Sequence, residues 1–281
     1  MTGPLISLLS DFGARDPSAA IMRGVVLGIA PDARIVDISH EVRKFAIRDG
    51  ALLLWCALPY LPVGFHVAVV DPGVGTERLP VAIVCGRGDV LIGPDNGLLV
   101  AATEKLGGIA AVHVLQAEAY RLPVISTSFH GRDIFAPAAA HLAMGVAPAA
   151  LGRALDSAAL VASPIREPVI EPGRLVSSVV YVDTFGNVKL AGLRADLEAA
   201  LGVVAPGDRL TLRVGSTQSG SPVRTIETTW QATFGDVAPG ETLVYEDSYR
   251  RICVAASQAD AAARHGLADD LRVIVERANP D

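Results

Sequence analysis

The chain has 281 residues, of which 51% are hydrophobic, and a formal net charge of −6 at pH 7. This length and apolar content allow a substantial core in one large or two smaller domains, and they exclude a disordered chain. Because the sequence has no run of lysine or arginine, its charge gives no footprint for binding nucleic acid or an anionic membrane.

The first part of the chain, to about residue 160, alternates short apolar runs with longer helical patterns. Such alternation is typical of a parallel α/β sheet. The predicted strands are Leu5–Leu9, Arg34–Ile38, Phe65–Val70, Val81–Cys85 and Val90–Ile92, the last two forming a hairpin. The predicted helices are Ser18–Ala30, with Ser18 as its N-cap, Ile47–Leu58 and Ile134–Met144.

A segment rich in proline and glutamate, residues 164–172, is the best candidate for a linker. Beyond it, short alternating runs separated by turn residues indicate a small antiparallel barrel or sandwich. These predicted strands are Leu175–Val182, Arg209–Val214, Val223–Trp230, Thr242–Glu246 and Ile252–Ala256. We therefore expect an N-terminal α/β domain over residues 1–163 and a C-terminal β-barrel domain over residues 173–281.

The three cysteines, Cys56, Cys85 and Cys253, lie far apart within apolar stretches. They are interpreted as reduced core residues of a cytoplasmic protein. The N-terminus lacks the basic and apolar regions of a signal peptide, and no apolar run approaches the ~18 residues of a membrane span.

Polar residues follow the first three predicted strands. Asp11 and Asp16 follow the first strand, Ser39 and His40 the second, and Asp71 the third. Ligands bind outside the carboxyl ends of parallel strands, so these residues are expected at one edge of the sheet. A carboxylate there can accept hydrogen bonds from a ribose, although capping or turn formation is the more common role of an isolated aspartate.

Two clusters carry most of the chemistry. The turn that begins at Asp71 contains Pro72, two glycines and Arg78, so it returns an arginine towards the carboxylate. The second cluster, residues 126–133, includes His130 beside a phenylalanine. A histidine in that setting is more often structural than catalytic. Its position at the start of a helix, together with Asp71 and Arg78, nevertheless favours a catalytic role for His130.

Several familiar sites are missing from the sequence. The first turn, residues 10–16, is not a glycine-rich phosphate loop, which favours a nucleoside without phosphates as ligand. A metal site from Asp11, His40, Asp71 and His130 is conceivable, but no HExxH pattern or closely spaced histidine pair supports it. No GxSxG elbow indicates a serine hydrolase.

Five motifs read together resemble one family. They are Ser10-Asp11-Phe12-Gly13, Asp71-Pro72-Gly73-Val74-Gly75-Thr76, Pro94-Asp95-Asn96-Gly97-Leu98-Leu99, Ser128-Phe129-His130-Gly131-Arg132-Asp133 and Asp183-Thr184-Phe185-Gly186-Asn187. In this order and spacing they resemble the S-adenosylmethionine (SAM) hydroxide adenosyltransferase family, whose relatives include bacterial fluorinase and chlorinase.

The resemblance implies an N-terminal α/β domain, a C-terminal β-barrel and a homotrimer with each active site between two subunits. The implied reaction is attack of water or hydroxide on C5′ of SAM, which gives adenosine and L-methionine. It implies no metal and no organic cofactor.

The resemblance also assigns roles to residues. Asp71, Arg78 and His130 match the hydroxide-using triad, and Asp11 matches the ribose-binding aspartate. The other implied contacts to substrate are Asp16, Asp183, Phe185, Asn187 and Ser248, mostly at the methionyl end. Phe45 and Phe234 are candidates for stacking on adenine, or for core packing.

The sequence departs from the family near its C-terminal end. Asp247-Ser248-Tyr249-Arg250-Arg251 replaces a turn of small residues, although Ser248 remains, and Ala259-Asp260-Ala261 replaces Gly-Asn-Ala. Three alternatives stay open: halide-dependent adenosyl transfer, methyltransferase-like handling of the same substrate, and a nucleoside-binding module without turnover. The triad argues against halide-dependent transfer, and the missing glycine-rich loop argues against a methyltransferase. Only a measurement of turnover distinguishes a nucleoside-binding module from an enzyme.

Overall fold

The computed structural model describes residues 3–215 and 224–278. Val223, the first residue of one predicted strand, lies outside these ranges. The chain divides into two compact units, residues 1–164 and 165–281. Within the described ranges, no helix has the length and apolar character needed to cross a membrane.

The N-terminal unit is built on a six-stranded sheet with the order β2-β1-β3-β5-β4-β6. Its strands are β1 (Leu5–Ser10), β2 (Arg34–Ser39), β3 (Phe65–Val69), β4 (Pro80–Cys85), β5 (Val90–Pro94) and β6 (Ile109–Val114). The first four in spatial order are parallel, while β4 runs antiparallel to both its neighbours. The predicted α/β sheet and its hairpin are therefore confirmed, and β6 is a strand that the prediction missed.

The part of this unit that the structure describes has four α-helices: α1 (Ser18–Ile29), α2 (Ile47–Ala57), α3 (Val100–Thr103) and α4 (Ala136–Ala143). Ser18 is not the N-cap of α1, because Pro17 occupies that position and Ser18 is already helical. The Asp16 carboxylate instead accepts a hydrogen bond from the Ser18 N–H at 2.8 Å. The predicted helix Ile134–Met144 begins earlier, as a π-helical turn at Gly131–Phe135 that continues into α4.

The core of the unit lies on both faces of the sheet because side chains alternate along each strand. Ile6 and Leu8 of β1 belong to the cluster that includes α1 and α4. Leu9 faces the other way and lies near Gly50 of α2, where a Cβ would be 3.5 Å from it. This layering leaves the carboxyl ends of β1 and β3 open.

A buried polar chain crosses the middle of the same sheet. Ser7 Oγ is 2.8 Å from His66 Nδ1, and His66 Nε2 is 2.9 Å from Asp89 Oδ1. Arg87 donates to both carboxylate oxygens of Asp89, at 2.7 and 2.8 Å. Ser7, His66 and Asp89 are at most 1% exposed. These buried hydrogen bonds therefore link β1, β3 and the turn between β4 and β5.

The C-terminal unit is a closed barrel of seven strands, in which β14 pairs with β8, and β7 is added outside the ring. The strands are β7 (Val169–Glu171), β8 (Arg174–Val182), β9 (Val188–Leu193), β10 (Arg209–Gly215), β11 (Arg224–Trp230), β12 (Thr242–Glu246), β13 (Arg251–Ala256) and β14 (Arg272–Arg277). Among the described residues of this unit, two α-helices accompany the strands, α5 (Arg194–Leu201) and α6 (Ala261–His265).

The predicted barrel is confirmed, but one of its strand pairs is parallel. β11 and β12 pair through Thr229 with Leu243 and Trp230 with Val244, in parallel register. The connection between them, residues 231–241, contains a short 3₁₀ turn at Phe234–Asp236. It is long enough for β12 to start beside the end of β11 and run in the same direction, whereas a tight hairpin would make the pair antiparallel.

Candidate active site

The N-terminal unit has a cleft at the carboxyl ends of β1 and β3. Its volume is about 490 Å³, and its lining includes Asp11, Asp16, Phe45, Asp71, Ser128 and His130. Ser39 and His40, which were expected at the same edge, do not line it. His40 Nδ1 instead lies 2.7 Å from Ser10 Oγ, and its Nε2 is 3.1 Å from Asp37.

Asp71, Arg78 and His130 lie in direct contact. Arg78 Nε is 3.0 Å from both oxygens of Asp71, and Arg78 Nη2 is 2.5 Å from Asp71 Oδ2. The same Nη2 is 2.8 Å from His130 Nδ1. The side chains of Arg78 and Asp71 are only 10% and 5% exposed. The Arg78 guanidinium also lies over the Phe135 ring, 5.3 Å from its centroid, so its orientation is fixed on several sides.

The contact with Arg78 fixes the protonation of His130. An arginine side chain only donates hydrogen bonds, so His130 Nδ1 accepts and the ring hydrogen resides on Nε2. Burial and the Arg78 cation both lower the pKa of His130, against the opposing effect of Asp71 and Asp133. The neutral ring therefore presents an N–H donor at Nε2, and Asp71 is the acceptor of the triad.

Close backbone packing brings the two loops of the triad together. Gly75 has φ +78°, and a Cβ on it would lie 2.4 Å from the Thr127 carbonyl oxygen. Only glycine satisfies both conditions without strain. The buried Asp133 carboxylate accepts from the Ser126 N–H at 2.8 Å and pairs with Arg132. Asp133 and Arg132 thus hold the loop that carries His130.

Asp11 lines the cleft, and its carboxylate joins the loop after β1 to the segment before α2. Its Oδ2 accepts from the Phe45 N–H at 2.9 Å. Phe45 has φ 65°, which is unusual for a bulky residue, and the residue is 70% exposed. The hydrogen bond to Asp11 thus holds the backbone of Phe45, an exposed aromatic residue, at the cleft.

The C-terminal unit has its own cleft, of about 620 Å³. Asp183 organises one side of it by accepting from the Phe185 N–H at 2.9 Å, and from the backbone and side-chain N–H of Asn187 at 3.0 Å. Phe185 is 77% exposed, and the Phe234 ring packs against Tyr245 with centroids 4.9 Å apart. Ser248 also lines this cleft.

One group in this cleft was missed by the sequence analysis. Lys189 Nζ lies 2.5 Å from Asp247 Oδ2, and the two residues are 8% and 6% exposed. Asp247 Oδ1 accepts from the backbone N–H of Tyr249 and Arg251, at 2.8 and 2.9 Å. A lysine within an otherwise apolar stretch needs an acidic partner when it is buried. Lys189 in such a stretch was therefore the sequence signal for a buried ion pair. Asp247 therefore shapes the turn that departs from the family pattern.

The conceivable metal site from Asp11, His40, Asp71 and His130 does not form. Across residues 3–215 and 224–278, no group of three or more His, Cys, Asp or Glu side chains is arranged to hold a metal ion. His40 is engaged with Ser10 and Asp37, while His130 is engaged with Arg78.

Both halves of the sequence match family models. The SAM hydroxide adenosyltransferase N-terminal domain matches residues 6–152, and the C-terminal domain of the same family matches residues 177–274. The chain belongs to the SAM hydroxide adenosyltransferase family. The resemblance drawn from the five motifs is thereby confirmed.

Family relatives match over nearly the whole chain. A protein of Salinispora tropica named (R)-S-adenosyl-L-methionine hydrolase is 41% identical, over 96% of this chain and 97% of its own length. A fluorinase of an Actinoplanes species is 29% identical, over 98% of both chains. The crystal structure of an uncharacterised conserved protein from Thermotoga maritima is 32% identical, with a TM-score of 0.87, covering 97% of this chain and all of that one.

The two family models contain the two clefts. The N-terminal model covers Asp11, Asp71, Arg78 and His130. The C-terminal model covers the Asp183 to Asn187 turn, Lys189 and Ser248. Each family domain therefore contributes one cleft.

Proposed function

We propose that this chain hydrolyses SAM to adenosine and L-methionine by attack of an activated water on C5′ of the ribose. The observation that carries the proposal is the Asp71, Arg78 and His130 contact in the cleft at the strand ends. The relative from Salinispora tropica, named for hydrolysis of the (R) epimer of SAM, supports the same substrate class and favours that epimer here.

The arrangement suits a water nucleophile. Asp71 accepts one hydrogen of the water and His130 Nε2–H donates to its oxygen, which leaves a lone pair directed at C5′. As the O–C5′ bond forms, the C5′–S bond breaks, its electron pair goes to sulfur, and the proton goes to Asp71. The sulfonium leaves as neutral methionine, so no general acid is required. Arg78 donates to both oxygens of Asp71 and thereby orients the carboxylate.

The same geometry disfavours halide as the nucleophile. A carboxylate at Asp71 repels an anion, and the Arg78 donors are directed at Asp71 and His130. A module that binds adenosine without turnover would need no acceptor and donor pair around a water. We therefore favour hydrolysis over both alternatives.

We assign the remaining site residues to substrate binding. Asp11 is proposed to bind the ribose, and Asp16 to contact the methionyl portion. Asp183, Phe185, Asn187 and Ser248 are proposed contacts from the barrel, with Asp183 and Asn187 at the amino-acid end. Their presence along two clefts supports these roles. We further propose that no metal or organic cofactor takes part, because the sulfonium is already an activated leaving group.

The reaction is tested with purified protein and SAM in the presence of a chelator. We expect adenosine and methionine in equal amounts, above a protein-free reaction, with the new 5′-oxygen derived from isotopically labelled water. The two sulfonium epimers are assayed separately, and the (R) epimer is expected to turn over faster. Formation of S-adenosylhomocysteine, or of a 5′-halogenated adenosine when halide is added, would contradict the proposal.

We propose a homotrimer in which each active site is completed by the N-terminal domain of one subunit and the barrel of the next. The exposed Phe45 and Phe185 rings at the clefts support burial against another surface. Light scattering should give three times the chain mass of 29.2 kDa. Subunit exchange between Asp11→Ala and Asn187→Ala proteins should restore some activity, whereas a fully active monomer would contradict the assembly.

We place this activity in the cytoplasm. The three cysteines are free and buried, which suits a reducing compartment. Nucleic acid and membranes are not proposed as partners, because the net charge of −6 offers no attraction to either.

A further inference from the structure

A buried ion pair forms part of the cleft in the barrel. The side chains of Lys189 and Asp247 are 10% and 4% exposed, and the Lys189 ammonium also lies over the Tyr249 ring, 5.2 Å from its centroid. A buried ion pair is often no more stabilising than apolar residues of similar volume. Fold stability therefore gives no sufficient reason for a lysine at this position, and a ligand is the better explanation.

The charge of the cleft lining describes the ligand. Among its described residues, the acidic side chains are Asp183 and Asp247 and the basic one is Lys189, a formal net charge of −1. SAM carries an ammonium, a carboxylate and a sulfonium, a net charge of +1. Its amino-acid end therefore needs an anion for the ammonium and a cation for the carboxylate, and both are present in this cleft.

The hydrogen bonds in the cleft indicate which residue can bind the ammonium of the substrate and which can bind its carboxylate. Asp247 already accepts from Lys189 and from two backbone N–H groups, so it is largely committed to the turn. Asp183 Oδ2 accepts from the Asn187 side chain and has a further lone pair for an ammonium. An ammonium has three hydrogens, so Lys189 can serve Asp247 and a second carboxylate at the same time.

We infer that Lys189, held by Asp247, binds the α-carboxylate of the substrate and determines specificity for an amino-acid side chain on the sulfonium. This inference rests on the proposed function and adds a residue to it. Asp247 is a positioning residue, because it acts on the substrate through Lys189.

The test compares SAM with its decarboxylated analogue, in which hydrogen replaces the α-carboxylate. Loss of a hydrogen bond to a charged group should lower the affinity of Lys189→Met for SAM by about tenfold to hundredfold. The affinity for the analogue, which lacks the carboxylate, should change by less than about threefold, because it has no group for Lys189 to bind. Affinities are measured by calorimetry and kcat/KM by chromatography.

Two further variants distinguish the loss of a contact to substrate from misfolding. Lys189→Met leaves Asp247 buried without its cation, whereas Lys189→Met/Asp247→Asn removes both charges and should fold while losing the preference for SAM. Arg213→Met removes a paired cation from an exposed site on the barrel, beside Glu276, and should retain the wild-type preference. Melting temperatures are recorded for each protein.

A purely structural role for Lys189 predicts that both ligands weaken equally, and that result would overturn the inference. An unchanged ratio in the double variant would also overturn it. The inference and the proposed reaction fail separately: a wild-type protein without turnover contradicts hydrolysis, while the ratio of affinities still decides the role of Lys189.

Discussion

Asp71→Asn is expected to lower kcat for SAM hydrolysis by about 10²- to 10⁴-fold, the usual contribution of a general base. The affinity for SAM should stay within about tenfold, because Asp71 is proposed to act on the water and not on the nucleoside. The asparagine keeps the shape of the side chain and an acceptor for Arg78 but cannot take the proton. Single-turnover kinetics and calorimetry on the same samples separate the two quantities.

The other two members of the triad should behave as one unit with Asp71. Arg78→Ala and His130→Ala are expected to lower kcat strongly, and the Asp71→Asn/His130→Ala protein should be little worse than the poorer single variant. Glu276→Gln provides the control, since it removes a carboxylate from the exposed ion pair between Glu276 and Arg213. Near-normal turnover with a lowered melting temperature would show that the triad is a structural ion pair.

The largest effect on stability is expected at Asp89. Asp89→Ala leaves the buried His66 without its acceptor and Arg87 without its anion, and should cost about 3–5 kcal/mol of unfolding free energy. Glu276→Ala, in an exposed ion pair, should cost about 1 kcal/mol or less. Trp55 and Trp230 are the two tryptophans and lie in different units. Urea unfolding followed by Trp55 fluorescence in a Trp230→Phe background therefore isolates the N-terminal unit.

The environment of Asp89 also predicts that the free energy of unfolding depends on pH. Burial alone would raise the pKa of Asp89, but hydrogen bonds from Arg87 and His66 lower it well below the ordinary value of 3.8. A group whose pKa is lowered by folding stabilises the fold above its unfolded pKa, and this stability is lost as the pH falls below that value. The wild-type urea midpoint should therefore fall more steeply than that of Asp89→Ala below about pH 4. Parallel acid limbs would contradict this assignment.

The sequence predicted the elements in which apolar periodicity and turn residues agree. The strands Leu5–Ser10 and Phe65–Val69 were predicted to within a residue of each end, and the helix Ile47–Ala57 to within one. The strand Val188–Leu193 was missed because Lys189 and Gly192 interrupt its apolar pattern. Ile109–Val114 was missed for a related reason, since alanines give a weak signal for a strand.

The site was only partly predictable for a different reason. The spacing of Asp71 and Arg78 within one turn indicated their contact, because local geometry decides it. The contact of Lys189 with Asp247 joins residues that are far apart in sequence, so it depends on how the barrel closes. The direction of the hydrogen bond between Arg78 and His130, and hence the ring tautomer, likewise needs atomic positions.

Asp71 and Arg78 lie on one loop between β3 and β4, while their partner His130 comes from another. The carboxylate and the cation that holds it thus belong to a single short segment of the chain. Exchange of that segment would replace both groups at once and leave the barrel and its cleft untouched. On the roles proposed above, the carboxylate that activates water lies on a segment separate in sequence from the Asp183 to Asn187 turn, which is proposed to recognise the amino acid.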